Sequence, residues 1–249
     1  MNKKVGGGIM ELKFLVKKEA PYVYIHGSGC SKDIWIHQVS EVGGYAIDLP
    51  GHGESPDDEK ISTVEDYAKY VVDFISKKVK KAYVIGHSLG GAVAQMTYLL
   101  AKESVLGLVL VGSGARLRVL PEILWGFKND FKNTAYKSND LLFYEGFNNK
   151  DVRDKILRQI LNSGSKICFR DFNACDKFDL LEKYKKGEIK IDVPMLCIVG
   201  DKDVLTPPKY AYFFGDVVGA RVEVIKNAGH MVMLEKPEEV NGVLIDFLK

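Results

Sequence analysis

An α/β fold, built as a mostly parallel central sheet with helices on both faces and a helical cap insertion, is the class this 249-residue sequence predicts, and three observations carry it. Strand-like apolar runs alternate with segments whose apolar residues recur at helical spacing, the order produced when each strand is followed by a crossover helix. The runs Ala82–Ile85, Leu106–Val111 and Met195–Val199 are apolar almost without interruption, as strands buried on both faces are. Between Gly112 and Val193 the alternation stops, and aromatics and helical spacing take over. With 46% hydrophobic residues a large core is available, and α/β chains of this length are often single domains. The division expected is a core of residues 1–112 and 193–249 carrying a cap of residues 113–192.

Taken in order, Glu11 to Val16 reads as an opening strand, Tyr22 to Ile25 as the next and Tyr45 to Ile47 as a third. Ser62 and Glu65 have capping-box spacing, and Val64, Tyr67, Ala68, Val71, Phe74 and Ile75 form the apolar face of the helix they start. Ala82–Ile85 is the following strand, and Ala92, Val93, Met96, Leu99 and Leu100 trace a helix after it. The cap carries Trp125, Phe127, Phe131, Tyr136, Phe143, Tyr144 and Phe147, then Val152, Ile156, Ile160 and Leu161 at helical spacing. Beyond it come the strands Met195–Val199 and Val222–Ile225 and a closing helix from about Glu238 to Lys249, with Val240, Val243, Leu244 and Phe247 facing inward.

The chemistry is concentrated at Gly86-His87-Ser88-Leu89-Gly90, a G-x-S-x-G set between a strand and a helix, which describes a nucleophile elbow. The motif alone occurs by chance in many loops; the flanking elements give it weight. A serine at such a turn has a strained backbone, so the positions two before and two after it must be small; Gly86, Gly90 and Gly91 meet that need. The hydroxyl is a poor nucleophile until a base takes its proton, and five histidines compete. His87 adjoins Ser88 and should project away from its hydroxyl. His37 lies in an amphipathic stretch, and His26 and His52 look like loop-shaping residues. His230, in a short loop between the last strand and the closing helix, is the candidate base, because a loop held at both ends by rigid elements mounts such a residue well. The acid should lie between serine and histidine at a strand end. Asp201 and Asp203 both follow the run ending at Val199; Asp203 is preferred for its reach, with Asp201 expected to hold the turn through its own side chain.

These segments together resemble the α/β-hydrolase family, in its serine esterase and lipase-like branch, over nearly the whole chain. His26-Gly27-Ser28-Gly29 is similar to the family's oxyanion loop, Asp48 to Ser55 to its loop after the fourth strand, Gly86 to Gly91 to its elbow, Gly200 to Asp203 with Pro207 to its acid loop, and Ala228 to His230 to its histidine loop. The resemblance implies a Ser88, Asp203, His230 triad with the backbone N–H groups of Ser28 and Leu89 as oxyanion donors. The residues agree: Leu89 supplies an N–H from a helix start, and Ser28 sits in a Gly-bracketed turn. The family usually opens with a hairpin before the strand leading to His26, and this chain has room for little of it, which leaves the sheet edge open. Serine at the elbow argues against the dehalogenase and epoxide-hydrolase relatives, which use aspartate there.

A cap after the central strands lies over their carboxyl ends, where the elbow opens. Most of its aromatics should only pack it onto the core. Trp125, Phe143 and Phe147, with Gly27 and Gly29, are the candidate substrate-binding residues, since ligand pockets are mostly apolar. Arg170, Asp171, Asp176 and Asp179 receive no chemical role. Net charge is +2 with both signs interspersed, and the lysine pairs read as solvated element ends, so no nucleic-acid partner is expected. No run reaches the roughly 18 apolar residues of a membrane span, so stable membrane insertion is not expected either. Cys30, Cys168, Cys175 and Cys197 form no C-x-x-C pair, and Met1–Lys4 is followed by Val5-Gly6-Gly7-Gly8 and not by the apolar stretch of a signal peptide; a reducing cytoplasm is the simplest expectation. Neither metal nor cofactor is expected.

The leading functional expectation is a carboxylic ester hydrolase acting on small to medium apolar esters through an acyl-enzyme. Carbon–carbon bond hydrolases and acyltransferases share the machinery, and a non-turnover ligand-binding or sensor protein could keep the same fold.

Overall fold

The computed structural model describes residues 9–249; the charged start Met1–Lys4 and the stretch Val5–Gly8 lie outside the described residues. A seven-stranded sheet runs through the molecule in the order β1-β3-β2-β4-β5-β6-β7. Its strands are β1 (Phe14–Val16), β2 (Tyr22–Ile25), β3 (Tyr45–Ile47), β4 (Ala82–His87), β5 (Val105–Val111), β6 (Met195–Gly200) and β7 (Arg221–Ile225). All neighbours are parallel except β1, which pairs antiparallel with β3 and closes that edge. The expected opening strand is therefore shorter than Glu11 to Val16. Lys13 is taken up by the loop after β3, donating its N–H to Ser55 Oγ at 2.8 Å and accepting from Asp48 N at 2.8 Å.

Alternation of side chains sorts the core into two layers. Val23, Ile25, Val84, Leu108, Leu110, Cys197 and Val199 face one layer. That layer contains buried residues of α2 (Val64–Phe74), α3 (Leu89–Leu100) and α8 (Lys209–Val218). Tyr24, Ile85, Val109, Val111, Leu196 and Ile198 face the other. There they meet residues of α1 (Ile36–Glu41), α9 (Val232–Glu235) and α10 (Pro237–Phe247). Burying one such aliphatic side chain contributes about 1.5–3 kcal/mol before entropy is counted, so both faces of β4, β5 and β6 are anchored. The helix after β3 is capped one residue later than expected. Thr63, not Ser62, accepts from Asp66 N, and Asp66 reaches back to the Thr63 N–H, because Val64 is already the first buried helical residue.

After β2 the chain steps outward to β3, returns across β2 to β4, and then continues to the opposite edge. The reversal between β2 and β4 opens a crevice at the strands' carboxyl ends, the usual ligand position in such sheets. Between β5 and β6 the chain leaves to form α4 (Pro121–Asn129), α5 (Phe131–Leu141), α6 (Lys150–Lys177) and α7 (Leu181–Lys185). The two ends of this excursion are tied together where Leu117 and Leu180 donate to Phe178 O and Ala115 O at 3.4 and 2.8 Å. Within α6, Gly164 has φ 78° and ψ 167°, so the two halves meet at a kink.

Candidate active site

Ser88 stands between β4 and α3 with φ 54° and ψ −116°. A non-glycine residue at positive φ is held only when its surroundings enforce it, and here packed backbone does so. A Cβ on Gly86 would lie 2.0 Å from Gly90 O, and one on Gly90 would lie 2.3 Å from Ile25 O. Ser88 N donates to Val111 O at 3.0 Å, and Ser113 Oγ donates to Ser88 O at 2.8 Å, pinning the turn from the neighbouring strand.

The acid and histidine loops meet beside it. His230 Nδ1–H donates to Asp203 Oδ2 at 2.9 Å, and both side chains are buried. Asp203 is oriented by its own turn: Oδ1 accepts from Leu205 N at 2.9 Å and Thr206 N at 2.8 Å, while Thr206 Oγ1 donates to Oδ2 at 2.8 Å. Burial alone would push the Asp203 carboxyl up, but the His230 charge and hydrogen bond and the Thr206 donors outweigh it and hold the carboxyl down at about 2. With Nδ1 committed to Asp203, Nε2 is the His230 nitrogen left for proton transfer. Among the described residues the Ser88 hydroxyl makes no hydrogen bond with His230, but both side chains line one cavity of about 370 Å³.

Two further groups support His230. His87 packs its ring against the His230 ring at 4.6 Å and donates from Nε2 to His230 O at 3.1 Å. Burial, and then the neighbouring His230 charge, drive His87 well below the usual histidine range, so it is a neutral strut. Glu235 accepts from Gly229 N at 3.0 Å and from Tyr144 N at 2.9 Å, stapling the loop of His230 to the segment between α5 and α6.

On the other side of Ser88, the loop leaving β2 approaches so closely that a Cβ on Gly27 would lie 2.8 Å from His87 Nδ1 and 3.2 Å from Ser88 Cβ. His26 sets the orientation of this loop. Its Nε2 accepts from Leu49 N at 3.0 Å, so its Nδ1 carries the proton and donates to Gly27 O at 2.8 Å. Burial first, then His52, lower His26 to about 4, consistent with a neutral ring. In a trans peptide C=O and N–H point opposite ways, so fixing Gly27 O fixes the Ser28 N–H. Leu89 N lies at the first position of α3, where N–H groups have no helical partner.

Several expected residues are placed differently. Asp201 does not hold its turn: its Oδ1 is buried without a hydrogen-bond partner among the described residues, and the turn's N–H groups go to Asp203. Trp125 is 63% exposed and does not line the cavity, because Ile123 and Phe127 occupy the inward face of α4 and position 125 falls opposite. Phe143 and Phe147 stack on each other at 5.5 Å with Arg153 over the Phe143 ring, outside the cavity. Gly27 and Gly29 also stay out of its lining and serve as backbone that can come close; Gly29 has φ +66°. The cavity is instead lined mainly by Leu117, Val119, Leu120, Ile123, Leu141, Leu142, Phe172, Val204 and Leu205, together with Ser28, Ser88, His230 and the polar side chains of Arg118, Ser138, Thr206 and Tyr210. Residues 117 to 120 belong to a loop with no periodicity to flag them. The Asp203 and Thr206 pair did carry a signal, since an aspartate followed three residues later by threonine is a side-chain-capped turn.

The sequence profile described as the alpha/beta hydrolase family matches residues 22–243 of this chain. A solved structure of a thermophilic esterase is 43% identical and superposes with a TM-score of 0.88, covering 96% of this chain and 98% of that one. The pimeloyl-[acyl-carrier protein] methyl ester esterase of Neisseria meningitidis is 26% identical over 245 residues, spanning 90% of this chain and 92% of that protein. The dihydrolipoyllysine-residue acetyltransferase component of the acetoin cleaving system of Pseudomonas putida is 26% identical over 237 residues, which is 92% of this chain but only 63% of that protein's length. The enol-lactonase of Burkholderia xenovorans LB400 shares the fold at 21% identity and a TM-score of 0.86, covering 96% of each chain.

Proposed function

The chain belongs to the alpha/beta hydrolase family, and from that premise we propose that it is a serine hydrolase cleaving carboxylic esters of small to medium apolar substrates through an acyl-enzyme. The observation that carries the reading is the strained Ser88, at φ 54°, opening onto an apolar cavity that it shares with His230, whose other ring nitrogen is bonded to a buried Asp203. In this account Ser88 Oγ attacks the ester carbonyl as His230 Nε2 takes its proton. Asp203 holds the imidazole in the tautomer that can do so and stabilises the imidazolium. The developing oxyanion is received by the N–H groups of Ser28 and Leu89, and His230 then returns the proton to the leaving alcohol. Water repeats the sequence on the acyl-enzyme and releases the acid. The esterase names among the relatives support ester cleavage, as does a mostly apolar cavity that both Ser88 and His230 line. The four cysteines are free and buried, which supports a reducing compartment; among the described residues no helix is long and apolar enough to cross a membrane. The test is hydrolysis of p-nitrophenyl esters of graded acyl length together with labelling by a fluorophosphonate. Steady turnover and labelling are expected; a protein that binds such esters without turning them over is a sensor and refutes the reading.

A further inference from the structure

Beneath the oxyanion loop lies a buried polar cluster that the triad does not use. Asp171, on the second half of α6 in the cap, has no exposed surface and accepts three hydrogen bonds. Its Oδ2 takes Gly29 N at 2.9 Å and His52 Nε2 at 2.8 Å, and its Oδ1 takes the Tyr67 hydroxyl at 2.5 Å. His52 Nδ1 faces a second acceptor, Pro50 O, at 3.1 Å, so both of its nitrogens donate and the ring is an imidazolium paired with the carboxylate. Arg170 completes the cluster, donating to the Tyr67 hydroxyl, Pro50 O and Asp57 Oδ1 at 2.9, 2.8 and 2.6 Å.

A buried carboxylate is costly unless several donors meet it, and the core supplies two, His52 and Tyr67. The third donor is the backbone of the loop that carries Ser28. Gly29 N–H belongs to the peptide that follows Ser28, while the peptide that precedes it is held by His26 through Gly27 O. Ser28 thus lies between two pinned peptides, one fixed by the core and one by the cap. The same helix grips the loop twice more, through Ser163 Oγ on Gly29 O at 3.1 Å and Gln159 Oε1 on Ser31 N at 3.0 Å.

We propose that Asp171 is a positioning residue for the reaction: through Gly29 N–H it holds the Ser28 N–H at the oxyanion, so that the cap secures the catalytic backbone as well as covering the substrate. This rests on the ester-hydrolase reading. An aryl trifluoromethyl ketone reports on it directly, because Ser88 adds to its carbonyl to form a hemiketal oxyanion with no leaving group. Removing one oxyanion donor typically costs about 10²- to 10³-fold, and displacement of a donor that remains present should cost less, about 10- to 100-fold.

Asp171→Ala should therefore weaken ketone binding and lower kcat for p-nitrophenyl ester hydrolysis by the same factor, with KM little changed. Asp171→Asn keeps an oxygen for the Gly29 N–H and should restore most of both. Tyr67→Phe removes a donor to Asp171 without touching the loop, and should lower the melting temperature while ketone affinity stays within about 3-fold. If Asp171→Ala does not fold, Asp171→Leu combined with His52→Leu leaves no unpaired charge and is expected to show the same loss of ketone affinity. Wild-type ketone affinity in the folded Asp171→Ala or double variant overturns the proposal, as does an equal loss in Tyr67→Phe. A wild-type protein that neither hydrolyses esters nor binds the ketone overturns the hydrolase reading itself and this role with it.

Discussion

Replacing Asp203 by asparagine exchanges one oxygen for an amide nitrogen, and the surrounding donors decide which. Oδ1 accepts two backbone N–H groups, from Leu205 and Thr206 at 2.9 and 2.8 Å, and an amide NH₂ cannot stand there. The asparagine oxygen must keep that place, so its NH₂ faces His230 Nδ1 and Thr206 Oγ1, where Oδ2 stood. Facing a donor, Nδ1 has to accept; the ring proton moves to Nε2, and Nε2 can no longer take the proton of Ser88. A triad locked in that tautomer loses about 10⁴ in kcat, equivalent to about 5 kcal/mol of transition-state stabilisation. Geometry and KM should hardly change. Initial rates on a p-nitrophenyl ester give the first quantity and thermal unfolding checks the fold. Asp201→Asn should remain within about 10-fold of wild type, since Asp201 lies outside the His230 hydrogen bonds. Asp203→Asn with near-wild-type kcat, or Asp201→Asn as the inactive variant, refutes the reasoning.

Three more outcomes follow from the geometry. Gly86→Ala puts a methyl 2.0 Å from Gly90 O and 2.6 Å from Gly91 N, both backbone atoms; it should cost roughly 4 kcal/mol or more, and a variant melting at the wild-type temperature contradicts the close approach. Ile123→Ala and Leu142→Ala enlarge the cavity wall and should shift the preferred acyl length in graded steps of roughly 1–3 kcal/mol per methylene, whereas Trp125→Ala should leave the rank order of esters unchanged. The Asp203 carboxyl, held at about 2 against an ordinary 3.8, is a depressed acid. The stability it contributes is present above 3.8 and is lost as pH falls toward 2, so the melting temperature of wild type should drop through that window more steeply than that of Asp203→Asn.

The parts legible in the sequence are those where one local requirement admits few residues. The run Ala82–Ile85, the small residues around Ser88 and the helical spacing after it all state the same strand, turn and helix, and the described structure has them as β4, Ser88 and α3. Loop residues at strand ends could be named because parallel strands bring their carboxyl ends together, which is how Asp203 and His230 come to meet. Where two residues satisfied the same local rule, the sequence could not choose: Ser62 and Thr63 each have an acid three residues on, and burial of Val64 decides between them. The helices between β5 and β6 were legible in their spacing but not in their facing. Aromatic content drew attention to Trp125, Phe143 and Phe147, while the cavity wall is mostly aliphatic, takes its aromatics from Phe172 and Tyr210, and is partly aperiodic, drawn from α4, α5 and the loop after β5. Asp171 was indistinguishable from its acidic neighbours because its partners, Gly29, His52 and Tyr67, are more than a hundred residues away.

The central claim is that Ser88 carries the acyl group. Rapid acid quenching of the protein during turnover of a p-nitrophenyl ester, followed by peptide mass analysis, tests it most directly. The account predicts one acyl mass per chain on the peptide containing Ser88, absent from Ser88→Ala, whose turnover should fall by on the order of 10⁶. Sustained hydrolysis by Ser88→Ala, or an acyl mass on any other residue, would contradict it.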